Sequence, residues 1–289
     1  MRKISKAREI RKEIFEDTKR LYESDESLVA SINNSKKKQR VIAENEEVDT
    51  VAEQIYDTPA KIIVSSKRSL EAAKDYNGNR VCVLNFASAT NPGGGVENGS
   101  SAQEEAICRC STLFPCISDN DIREKFHDSH RSRIKNGEMT SLYNSDCIYT
   151  PEVTVFKSDT DNPELLPQEE WYKIDVISAA APNLRNIPSN AMNPDSGEKV
   201  VVTKDEVLKL HIERARRILD IAVCNKVEIM IMGAFGCGAF RNSPEVVSEA
   251  LASVIQDYLY KFKVIEFAVY CPPNDMTNYE VFNNRLSQM

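Results

Sequence analysis

The residues best suited to chemistry in this chain are two adjacent acids, Glu104 and Glu105, preceded by Gln103 and, a seven-residue spacer earlier, by the run Gly93, Gly94 and Gly95. Carboxyl groups can donate and accept protons, so acids beside a glycine turn suit proton transfer at a bound polar substrate. Neighbouring helical residues project about 100° apart. Glu104 and Glu105 are therefore not expected to form the facing pair of a two-carboxylate glycosidase, and should divide the work, one positioning and one transferring protons. The bland alternative is that two glutamates in a first helical turn serve only the helix dipole.

Glycines at this place let backbone amides approach a diphosphate or ribose where side chains would block it. A second glycine group, from Gly233 to Phe240, has the sequence Gly-Ala-Phe-Gly-Cys-Gly-Ala-Phe. It also follows an apolar run, and the next helix start is marked by Asn242, Ser243 and Pro244. Two such loops at the carboxyl ends of strands in one sheet can face a single crevice. Phe240 is suited to wall a ribose or base, or else packs beneath the loop.

Two phosphate-loop readings fail on the residues. Gly94 to Gly99 gives G-x-x-x-x-G, but Ser100 stands where a nucleotide triphosphatase needs lysine. Neither glycine group has the G-x-G-x-x-G spacing of a dinucleotide fold.

The elements that must position these residues alternate along the chain. Residues 61–64, 80–86, 174–178, 227–232 and 264–270 read as short buried strands, and helices are expected at 70–73, from about 101, at 203–223 and at 243–260. This is an α/β pattern with a sheet covered by helices on both faces. The first twenty-odd residues, with Ile4, Ile10, Ile14 and Leu21 among many charges, suit a surface helix that Ser24 to Ser27 should end. The basic cluster 36–40 reads as an exposed turn. Periodicity weakens from 118 to 167, where a polar helix (121–135) and a strand at 153–156 read as an insertion over the carboxyl edge of the sheet. Residues 186–198 read as a loop.

The composition fits a folded chain in water: 41% hydrophobic and 28% charged residues, with a formal net charge of -7. That charge disfavours general DNA or RNA binding, so a nucleotide must be held by local donors. No apolar run is long enough for a membrane span, and the charged amino terminus lacks a secretory signal, so a cytoplasmic location is expected. Several of the eight cysteines sit in apolar runs as reduced core residues do. Cys108 and Cys110, with Cys116, His127 and His130 nearby, invite a zinc reading, but C-x-C in a helix points its thiols apart, so no metal and no cofactor are expected.

Taken together, Gly93-Gly94-Gly95, the spacer and Gln103-Glu104-Glu105 resemble the signature of poly(ADP-ribose) glycohydrolases. Asn85 to Pro92 and the Gly233 to Phe240 loop are similar to the microbial type of that family, over roughly residue 40 to the carboxyl terminus. The resemblance implies a macrodomain-like mixed sheet flanked by helices, in a three-layer α/β/α arrangement. It divides the chain into an amino-terminal helical accessory segment, 1–40, and a catalytic domain, 41–289. It also implies hydrolysis of the ribose-ribose O-glycosidic bonds of poly(ADP-ribose), releasing ADP-ribose, with cleavage at chain ends.

By the same resemblance, Glu105 is the general acid and base, and Glu104 orients the ribose. Glu105 must carry a proton for part of the cycle, which burial and the adjacent Glu104 would favour. The implied ligand contacts are Asn85, Ser88, Asn91, Gly93, Gly94, Gly95, Val96 and Gln103 on the first loop, and Gly233, Ala234, Gly236, Cys237, Gly238, Ala239 and Phe240 on the second. The alternatives are a macrodomain that binds ADP-ribose without cleaving it, a hydrolase of mono-ADP-ribosylated protein, and an unrelated sugar-nucleotide enzyme.

Overall fold

The computed structural model describes residues 5–49, 54–190 and 193–289. Ile4 of the expected first helix, and residues 191 and 192 of the expected loop, lie outside these. Seven strands form one mixed sheet: β1 (Arg40–Ile42), β2 (Lys61–Ser65), β3 (Val81–Phe86), β4 (Cys147–Val155), β5 (Tyr172–Ala179), β6 (Ile229–Met232) and β7 (Val264–Ala268), in the order β1-β4-β5-β3-β6-β7-β2. The β5-β3-β6-β7-β2 portion is parallel, while β4 pairs antiparallel with both β1 and β5.

Ten α-helices accompany the sheet in the described residues. They are α1 (Lys6–Ser24), α2 (Glu26–Lys38), α3 (Ser69–Lys74), α4 (Gln103–Cys110), α5 (Leu113–Ile117), α6 (Asn120–Ile122), α7 (Ser129–Lys135), α8 (Lys204–Cys224), α9 (Pro244–Ile255) and α10 (Thr277–Leu286). Successive strand residues point to opposite faces, and each face buries its own core. On one, Cys82, Leu84 and Met230 pack with Leu219, Leu251 and Phe282 from α8, α9 and α10. On the other, Val81, Val83 and Ile231 pack with Leu70, Ile107 and Leu113 from α3, α4 and α5. The layered α/β arrangement with an amino-terminal helical extension is as expected.

Four local expectations are corrected. Ser24 to Ser27 does not simply end a helix, because Asp25 starts the next one: its Oδ1 accepts from the Ser27 and Leu28 amides at 2.9 and 3.1 Å. The basic cluster is consequently the last turn of α2 running into β1, where cations complement the helix dipole. The 118–167 stretch is more than a cover, since β4 sits inside the sheet. Its alternation is broken at Pro151 and Glu152, where a register shift falls and Glu152 takes φ 57°. Finally, the expected helix over 121–135 is interrupted by a π-helical turn, Arg123–Asp128, between α6 and α7. No described helix is long and apolar enough to cross a membrane.

Helix α1 is seated directly on the glycine turn. Gly99 has φ 70°, and a Cβ there would lie 2.2 Å from the Arg8 carbonyl oxygen, while the Arg11 Nε donates to the Gly99 carbonyl at 2.7 Å. Thr18 Oγ1 of α1 donates to the Arg109 carbonyl of α4 at 2.7 Å. Gly99→Ala is therefore expected to push α1 off this turn and lower unfolding stability by about 2 kcal/mol, measured by urea denaturation. An unchanged midpoint would show that the contact yields freely.

Candidate active site

A cleft of about 750 Å³ crosses the carboxyl ends of β5, β3, β6, β7 and β2. This is where ligands bind in open parallel sheets, because the loops that change strand order leave a crevice there. Its floor is made by Glu104 and Glu105 at the start of α4, which follows β3. Ala234, Phe235, Gly236 and Gly238 to Phe240 line it from the loop after β6, Tyr270 from the segment after β7, and Arg68 from the segment after β2.

The two carboxylates converge. A Cβ on Gly94, whose φ is 58°, would lie 2.6 Å from Glu105 Oε1 and 3.0 Å from Glu104 Oε2. Backbone directions on a helix do separate the two residues, but their long side chains curl to the same glycine, so the expected divergence is corrected. Different partners still distinguish them. Glu104 Oε2 accepts from the Ser88 amide at 2.8 Å, and its Oε1 lies 3.4 Å from Asn85 Nδ2. Glu105 Oε1 accepts from the Gly95 amide at 2.8 Å, whereas its buried Oε2 has no partner among the described residues.

Burial, and then the neighbouring Glu105, push the Glu104 carboxyl well above the usual range, opposed by the Ser88 amide and Asn85. Because the native value is raised, the stability from Glu104 is fully present below the ordinary carboxyl range near about pH 4.3, and is lost as pH rises through the elevated value. Glu104→Gln is accordingly expected to gain in melting temperature relative to wild type between pH 4 and 8. A constant difference across that range would contradict the burial argument.

The first glycine run serves mainly to admit the carboxylates. The amides of Gly94 and Val96 donate to the carbonyls of Asn91 and Gly93, and that of Gly95 to Glu105. Of this run only Gly94 lines the cleft. Gly93 lies against Phe114, where a Cβ would meet the ring at 2.7 Å, and Val96 is buried. Asn91 Nδ2 bonds the Gly94 carbonyl, closing the turn. Asn85 is buried beneath Glu104 and donates to Ser178 Oγ at 2.9 Å. Gln103 lines the cleft, yet its amide is held by β3: Oε1 accepts from the Phe86 amide at 2.9 Å, and Nε2 donates to the Leu84 carbonyl at 2.7 Å.

The second loop is different. Among the described residues the amides of Gly236, Gly238, Ala239 and Phe240 donate to no other backbone group, and all four residues line the cleft. Gly236 has φ 82° and lies against Asn242, which braces the loop through the Pro182 and Gly236 carbonyls at 2.7 and 3.1 Å. Gly233 and Cys237 support the loop without lining the cleft; a Cβ on Gly233 would lie 2.6 Å from the Ala268 carbonyl oxygen. Phe240 lines the cleft and carries the Arg185 guanidinium 5.3 Å from its ring centre.

Sequence reasoning missed several cleft residues. Asn193 comes from the stretch 186–198 read as a loop and Arg185 stands just before it, while Arg68 stacks on Tyr270 at 4.0 Å and pairs with Asp161 at 2.5 Å. Arg109, buried one turn after Glu105, donates to the Ser100 carbonyl at 2.6 Å. Only the i, i+4 relation of Arg109 to Glu105 could have drawn attention to it. Among the described residues no three of His, Cys, Asp and Glu gather as a metal site.

Several known proteins resemble this chain in sequence and fold. The family described as microbial-type PARG, catalytic domain, matches residues 11–158. The crystal structure of poly(ADP-ribose) glycohydrolase from Thermomonospora curvata is similar, with 26% identity and a TM-score of 0.81, over 96% of this chain and 99% of that one. The same protein bound to the inhibitor ADP-HPD matches with a TM-score of 0.78, at the same identity and coverage. The glycohydrolase from Deinococcus radiodurans in complex with ADP-ribose matches at 26% identity with a TM-score of 0.73, over 89% of this chain and 97% of that one. No curated protein sequence matches. On the extent of the family match and on the likeness of the fold, the chain belongs to the microbial-type poly(ADP-ribose) glycohydrolases.

Proposed function

We propose that this protein hydrolyses the ribose-ribose O-glycosidic bonds of poly(ADP-ribose) and releases ADP-ribose. The observation that carries the reading is the pair of buried carboxylates meeting at Gly94, on the floor of a cleft whose other wall offers backbone amides. A glycosidic bond breaks when its leaving oxygen is protonated as the anomeric carbon becomes cationic. Glu105 suits the acid because its Oε2 makes no hydrogen bond among the described residues that would hold its proton. The bond between the anomeric carbon and that oxygen breaks, and the departing ribose leaves as an alcohol. Glu105, now a carboxylate, takes a proton from the water that attacks the anomeric carbon.

Glu104 holds ribose hydroxyls in this scheme, fixed in place by the Ser88 amide. The amides from Gly236 to Phe240 receive the diphosphate, and Phe240 sets the distal ribose. The substrate diphosphate lies near the cationic centre and stabilises it, so a second protein nucleophile is unnecessary. Asn91, Gly93, Gly95, Val96, Asn85 and Cys237 act in this reading by shaping the two loops. The accessory segment 1–40 supports the catalytic domain 41–289 through the seat of α1 at Gly99. The macrodomain label and a cytoplasmic location belong to the same proposal.

Cleavage at chain ends is tested by the product distribution. With long polymer as substrate, free ADP-ribose is expected as the early product while chain length declines slowly. Early accumulation of oligomers of intermediate length would instead indicate internal cleavage.

A further inference from the structure

The segment between β3 and the glycine run is gripped from outside the cleft by α7, which contributes nothing to the cleft lining. His130 places Nδ1 3.2 Å from the Ala89 carbonyl oxygen, and its Nε2 lies 2.8 Å from Asn144 Oδ1 and 3.2 Å from Asp146 Oδ2. The next residue, Arg131, donates from a terminal nitrogen to the Thr90 carbonyl at 2.8 Å, and it is paired with Asp128. Two successive carbonyls of the loop therefore point out of the cleft, toward cationic or N–H groups of one short helix.

A trans peptide is planar, so drawing a carbonyl one way turns the N–H of the same unit the opposite way. The Thr90 carbonyl faces Arg131, and the Asn91 amide of that unit donates to Ser88 Oγ at 3.2 Å. Ser88 in turn gives its own amide to Glu104 Oε2 at 2.8 Å. Arg131 thus reaches Glu104 through one peptide unit and one serine. Outward carbonyls also keep two partial negative charges away from a site that must receive a diphosphate.

We propose that Arg131, with His130 beside it, is a positioning residue: it fixes the orientation of the 89–91 peptides and so the register of Ser88 and Glu104 with the substrate. This rests on the hydrolase reading above. Arg131 is part-exposed and lies outside the cleft, so its replacement need not disturb the core.

The test uses Arg131→Met, Arg131→Lys and Asp128→Asn in the full chain. Arg131→Met is expected to lower kcat on poly(ADP-ribose) about tenfold, with ADP-ribose affinity within twofold and the melting temperature within a few degrees of wild type. Arg131→Lys, which keeps a donor for the Thr90 carbonyl, should recover most of the rate. Asp128→Asn, which removes the ion pairs with Arg131 and Arg123 and leaves the bond to the Thr90 carbonyl, should behave as wild type. Wild-type kcat in Arg131→Met, or an equal loss in Asp128→Asn, would overturn the proposal.

Amide hydrogen exchange separates this from failure of the hydrolase reading. A wild type that releases no ADP-ribose would sink that reading, while the exchange rate of the Asn91 amide still decides the positioning claim. Faster exchange at Asn91 in Arg131→Met than in Asp128→Asn is the expected result. Equal rates would show that α7 does not hold the peptide.

Discussion

Glu105→Gln is expected to lower the rate of ADP-ribose release from poly(ADP-ribose) by about a thousandfold while leaving ADP-ribose affinity within a fewfold of wild type. The size follows from general acid and base catalysis, which contributes about 10²–10⁴ when one positioned group both gives and takes the proton. Binding should survive because the amide retains an oxygen to accept the Gly95 N–H, now at 2.8 Å from Glu105 Oε1. What it loses is the acidic proton on the unpartnered side. Steady-state rates and calorimetric titration with ADP-ribose, compared at one pH, separate the two. Equal loss of binding and rate would mean that Glu105 holds the ligand and does not perform the proton transfer.

Gly94→Ala is expected to cost nearly as much activity, for a reason that involves no chemistry of its own. The added methyl would sit 2.6 Å from Glu105 Oε1 and 3.0 Å from Glu104 Oε2, on a residue whose φ of 58° already disfavours a side chain. Neither carboxylate can withdraw easily, because Glu105 is held by the Gly95 amide and Glu104 by the Ser88 amide. Displacement of the reacting groups by about 1 Å costs on the order of a hundredfold in rate. A loss of at least that size is therefore expected, with a stability cost of about 1–3 kcal/mol from strain. Retained activity in a folded Gly94→Ala protein would show that the carboxylates do not depend on this contact.

The comparison of these two residues shows how far the sequence could be read. The strand, glycine turn and acidic pair stand close together in the chain, so local spacing reveals them. What it could not reveal is the use made of the glycines. They read as open amides for a ligand, but at Gly94 and Gly95 the missing side chain and the amide serve the enzyme's own carboxylates. The free amides lie on the second loop instead. Chain-distant contributions were invisible for the same physical reason: Arg68, Arg185 and Tyr270 meet only because β2, β5 and β7 end on one side of the sheet.

The fold follows a similar division. Parallel strands buried on both faces leave unbroken apolar runs, so β3, β5, β6 and β7 were legible. β4 was half hidden because Pro151 and Glu152 interrupt its pattern where the strand shifts register against β5. There the Glu152 amide is taken by Asp175 Oδ1 at 3.0 Å, a bond across strands that no local pattern encodes. α2 was missed through its polarity, although Asp25 followed by Leu28 and Ile32 carries the signature of a capped amphipathic start.

The alternative to hydrolysis of the polymer is a cleft that merely holds ADP-ribose. The most direct measurement is free ADP-ribose released when the purified wild-type protein is mixed in excess with poly(ADP-ribose), followed in a single turnover. Release in that turnover, lost in Glu105→Gln, is the predicted result; tight binding of ADP-ribose with no release from the polymer by the wild type would contradict it.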